Sequence, residues 1–177
     1  IATSIFFVLW ERIHALHGFE NSLCDLLTDR SAMERLADHV LDVNLQYVRN
    51  VSRRFPGQID GCCMTDDWGT QQAAFIRFEL WMDLFYSRYK RLFDAMHEAG
   101  WDVWVHSCGK INEIIEGYIR AGVQVVNLQQ PRALGIADIA QRYGGRIAFE
   151  SLPDIQATLP TGDHANIDAD ISDLMTH

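Results

Sequence analysis

Apolar residues recur along this chain in two rhythms, long stretches at steps of three and four and short unbroken runs. Over residues 32–53, Met33, Leu36, Ala37, Val40, Leu41, Leu45, Val48 and Val51 keep the helical step, which predicts a long amphipathic helix ended by the Pro56-Gly57 turn. Further helices are expected over residues 5–16, 19–27, 73–99, 110–120 and 135–143, and from about residue 163 onward. In the 73–99 segment Phe75, Phe78, Trp81, Phe85, Tyr89 and Phe93 share the helical spacing and read first as core. The short apolar runs at 58–65, 101–106, 123–128 and 146–149 predict strands.

The resulting order is helical first and then four repeats of strand and helix. Short, wholly apolar strands imply a parallel sheet covered on both faces. Two α/β architectures fit, a doubly wound open sheet and a fragment of a (β/α)8 TIM barrel with parallel strands alternating with helices. No glycine-rich fingerprint follows any strand, which counts against dinucleotide binding. The chain starts inside an apolar run and stops inside an amphipathic one. Residues 1–177 are therefore expected to be one domain truncated at both ends, the central to late part of a barrel.

Composition narrows the partners. The 177 residues are 48% hydrophobic and 22% charged with a net charge of −9, which fits a globular domain and argues against nucleic acid or an anionic membrane surface. The first apolar run stops at Glu11-Arg12, too short to span a bilayer, and it lacks the features of a signal peptide. Four irregularly placed cysteines do not make a disulfide framework, so a reducing, cytoplasmic setting is expected.

The chemistry-bearing residues follow the strands. Asp66-Asp67, His106-x-Cys108, Asn127-x-x-Gln130 and the 150–154 segment each come directly after an apolar run, and in a parallel sheet those ends share one edge. His106 and Cys108, two residues apart in extended backbone, project to the same side. An imidazole and a thiol side by side suit zinc, although two donors alone are equally consistent with a hydrogen-bonded histidine and a buried, inert cysteine. Of Asp66 and Asp67, one is expected to work on substrate and the other to cap the helix that follows.

These residues resemble the uroporphyrinogen decarboxylase superfamily. The matching stretches are Asp60-Gly61, Asp66-Asp67-Trp68-Gly69-Thr70-Gln71, Tyr89-Lys90, His106-Ser107-Cys108-Gly109, Val126-Asn127, Gln129-Gln130-Pro131 and Asp154-Ile155-Gln156, in order along almost the whole chain. The resemblance implies a (β/α)8 barrel enzyme. In its methyltransferase branch His106 and Cys108 would be zinc ligands, with a third, a cysteine, from near the last barrel strand beyond this sequence. A zinc-bound thiol would accept methyl from a corrinoid carrier. The resemblance also implies Asp66 and Asp67 as catalytic residues and Trp68, Asn127, Gln130 and Asp154 as substrate-binding ones. Expected partners are a small-molecule substrate and, in this branch, a corrinoid protein, with homodimer formation left open. The alternative branch is the cofactor-free decarboxylation of uroporphyrinogen in porphyrin synthesis. Its polycarboxylated substrate is a poor match for a rim carrying Asp66, Asp67, Glu150 and Asp154. A third reading is an inactive fragment or partner-binding remnant.

Overall fold

The computed structural model describes residues 1–176, and among them five parallel strands form one sheet whose spatial order follows the chain. They are β1 (Ala2–Ile5), β2 (Gly61–Thr65), β3 (Asp102–His106), β4 (Val125–Leu128) and β5 (Ala148–Ser151). The helices α1 (Trp10–His17), α2 (Phe19–Thr28) and α3 (Arg30–Arg54) lie between β1 and β2. Between β2 and β3 come α4 (Phe78–Trp81), a π-helical segment over Met82–Tyr86, and α5 (Ser87–Glu98). Next come α6 (Ile114–Ala121), then α7 (Pro131–Leu134) and α8 (Ile136–Tyr143), and finally α9 (His164–Thr176). Among these residues no helix is long and apolar enough to cross a membrane.

The order decides between the two candidate architectures. A doubly wound sheet reverses its winding partway, whereas here every crossover advances by one strand. Because crossovers between parallel strands are right-handed, uniform advance puts every connecting helix on the same side. The result is an arc of a barrel-like sheet.

Two expectations are corrected by this arrangement. The helix expected over residues 5–16 is instead β1 followed by α1. Ala2 to Ile5 pair in parallel with Gly61 to Met64, and the 3.0 Å bond from the Val8 amide to the Thr65 carbonyl continues the pairing beyond the strand. A short apolar run has no periodicity to separate strand from buried helix, so the partner strand made the choice. The sheet is also not covered on both faces. Cys62, Met64, Val103, Val105, Val126 and Leu128 are buried in the core shared with the helices, whereas Cys63, Thr65, Trp104 and His106 on the opposite face are only half-buried. That second face is the concave side, and it carries the polar groups.

Candidate metal centre

Register aligns the site. Thr65 pairs with His106 and His106 with Asn127, while Asn127 pairs with Glu150. One row of the concave face therefore runs through the carboxyl ends of four strands, and the loops leaving it meet above that row.

Asp67, His106 and Cys108 are brought together there, each half-buried, with one donor atom apiece all lying within 4.8 Å of one another. Cys108 Sγ is 3.4 Å from His106 Nε2, and Asp67 Oδ1 is 3.5 Å from the same nitrogen. His106 Nδ1 donates to the Asn127 side-chain oxygen at 2.6 Å, which leaves the Nε2 lone pair directed at the other two donors. The Cys108 amide donates to Asp67 Oδ1 at 2.7 Å and the Gly109 amide to the Gln130 side-chain oxygen at 2.7 Å. The loop after β3 is thereby clamped from both sides by the loops after β2 and β4.

Thiolate, imidazole and carboxylate are the donor set of zinc, and three protein donors leave a fourth position free. The thiol itself does not ionise readily without a cation. Burial, and then the charge of Asp67, push Cys108 up to about 11. A divalent ion would reverse that balance.

The clamp depends on a close backbone crossing. Gly109 has φ +82°, and a Cβ placed there would lie 2.3 Å from the carbonyl carbon and oxygen of Gly69. Backbone cannot yield as a side-chain tip can. Gly109→Ala is expected to cost at least about 2 kcal/mol in chemical denaturation and to displace Cys108. An unchanged denaturation midpoint would show that the crossing can relax.

The remaining candidates divide. Asn127 and Gln130 act on the loop and histidine as described. Asp66, adjacent to Asp67, turns the other way and is fully buried. It accepts from the amides of Leu9 (3.0 Å), Trp10 (3.1 Å) and Glu11 (2.7 Å) and from the Tyr89 hydroxyl. Its cap therefore serves α1, more than fifty residues earlier, and not the helix that follows. Burial pushes its carboxyl up to about 7, opposed by the Glu11 amide, the Tyr89 hydroxyl and the Trp10 amide. Trp68 is also fully buried, stacked on Trp10 with ring centroids 5.2 Å apart and donating from Nε1 to the Tyr89 hydroxyl at 2.8 Å. Asp154 is buried, accepting from the amides of Gln156 and Ala157, and its own amide donates to Asp170. Its role there is to close a turn after β5.

Two features escaped sequence reasoning. Asp67 joins His106 and Cys108 as a third potential metal donor, where the sequence suggests a catalytic aspartate or a cap. Glu11 lies beside it, its carboxyl pushed up first by burial and then by the Asp67 charge, with His106 acting in the opposite direction. Recognising β1 as a strand would have placed Glu11, in the first turn of α1, at the same mouth. Below the mouth, an open cavity of about 460 Å³ is lined by Ser4, Phe6, Cys63, Trp104, His106 and Glu150 among others.

Among solved structures, a methyltransferase from Methanosarcina mazei has the same fold, with a TM-score of 0.77 over 99% of this chain at 13% sequence identity. The chain spans 49% of that structure's length, about half. No protein-family model and no curated protein matches the sequence.

Proposed function

We propose that the chain is the metal-holding part of a methyltransferase-like enzyme, with Asp67, His106 and Cys108 as donors to a zinc ion. The observation that carries this reading is the convergence of these three side chains at the carboxyl end of the parallel strands. Methyl transfer is favoured by the fold shared with a methyltransferase. Zinc in such a site would hold a substrate thiol as its thiolate, a competent methyl acceptor at neutral pH.

The chain's own residues have separable roles in this reading. Asn127 holds the His106 tautomer that leaves Nε2 free, and Gln130 holds Gly109 so that Cys108 faces the histidine. Asp67 takes the third place, which the sequence resemblance assigns to a cysteine from a later strand. The uncovered concave face provides room for a thiol substrate below the donors and for a corrinoid methyl carrier at the mouth. Asp67, Glu11 and Glu150 make this mouth acidic, which disfavours a polycarboxylated tetrapyrrole.

The test is cation loading of the full-length protein. Zinc is expected at one ion per chain by elemental analysis. The cobalt(II)-substituted protein should show a thiolate-to-cobalt charge-transfer band that intensifies when a small thiol is added. Absence of stoichiometric metal, or a cobalt spectrum without sulfur ligation, would overturn the assignment.

A further inference from the structure

Glu11 has a hydrogen-bonding capacity that the fold leaves unused. Its backbone amide is committed to Asp66, but its side-chain Oε2 is buried with no hydrogen-bond partner. A buried carboxylate oxygen without a donor is costly, and native structures generally supply one from protein, water or ligand. The position of the group shows where a donor would come from. Burial raises the Glu11 pKa, the Asp67 charge raises it further, and the Thr65 hydroxyl, the Asp67 amide and His106 work in the opposite direction. Glu11 also adds to the negative charge felt by the Cys108 thiol. The carboxylate therefore lies against Asp67 on the α1 side of the cluster, within range of the charges of His106 and Cys108.

A simpler role would be that of an acidic residue in the first turn of a helix, favourable to its dipole. An exposed side chain would serve that purpose equally well. It does not explain an oxygen withdrawn from water and left without a donor beside a second carboxylate.

We infer that Glu11 is the outer carboxylate of the cation site, its free Oε2 accepting a hydrogen bond from the protic molecule in the open fourth position and its charge helping to retain the cation. This rests on the assignment of Asp67, His106 and Cys108 as donors. Glu11 is a positioning residue. Its side chain forms none of the bonds that cap α1, so Glu11→Gln keeps the Asp66 network while removing the charge and changing the acceptor.

Cobalt(II) titration of full-length wild-type and Glu11→Gln proteins, with a competing chelator, tests the inference. The variant is expected to bind cobalt about 10- to 100-fold more weakly, the range for loss of an outer-shell partner, with shifted visible bands and an unchanged circular dichroism spectrum. Glu11→Asp should recover part of the affinity, which a purely structural defect would not predict. Equal affinity and identical bands in wild type and Glu11→Gln would overturn the inference and leave the three-donor site standing. Failure of the wild type to bind cobalt at all would overturn both.

Discussion

Asp66→Ala is expected to destabilise the protein by about 4 kcal/mol, the largest loss from any single side chain in the site region. The substitution leaves the amides of Leu9, Trp10 and Glu11 and the Tyr89 hydroxyl without their acceptor, in a place where the carboxylate is wholly shielded from water. Each orphaned buried donor costs about 1–3 kcal/mol, and partial relaxation around the smaller side chain returns some of the sum. For a chain of this size the loss corresponds to a fall of about 8–16 °C in the thermal midpoint. The contrast with its neighbour sharpens the test, because Asp67 is 35% exposed and Asp67→Asn keeps an oxygen for the Cys108 amide. That variant should unfold near the wild-type temperature. If Asp66→Ala shifts the midpoint by only about 2 °C, α1 does not depend on this cap.

Cys108→Ser is expected to abolish stoichiometric zinc while leaving the fold intact. Serine is nearly isosteric, and the Cys108 amide bond to Asp67 is made by backbone. The hydroxyl does not ionise as a thiol does, so affinity should fall by more than the roughly hundredfold typical of losing an outer-shell partner. The pH dependence of the wild type follows from the same group. With the cation-free thiol pushed up to about 11, binding at neutral pH must expel its proton. Apparent affinity should therefore rise with pH, about tenfold per unit for one proton released, until the thiol ionises unaided. Zinc retained at one ion per chain in the serine variant, or an affinity flat in pH, would remove Cys108 from the donor set.

The pairing of His106 with Cys108 was legible in the sequence because it depends only on the two-residue repeat of an extended chain and on the run-out of an apolar strand at Gly109. The long helix α3 was equally legible, since its apolar stripe recurs without interruption and its end is marked by Pro56-Gly57. The first strand was not. Ala2 to Ile5 are too few to show a period, and their conformation is set by parallel bonds to residues nearly sixty positions later. With β1 unrecognised, Glu11 could not be assigned to the mouth.

The adjacent aspartates mark the division most clearly. Chemistry placed both after β2, and a side chain at a strand end is free to turn outward to the mouth or inward to the core. Asp66 turned inward because the amides of Leu9, Trp10 and Glu11 and the Tyr89 hydroxyl wait there, and Asp67 outward because the Cys108 amide meets it. Trp68 likewise left the mouth once Trp10 offered a stacking partner and Tyr89 a hydrogen-bond acceptor. Local periodicity and residue chemistry thus determined the strands β2 to β5, the long helix α3, and the histidine and cysteine as neighbours. Which aspartate joins them was decided only by tertiary structure, because buried donors distant in the chain compete for each carboxylate and their positions exist only once the sheet is in register.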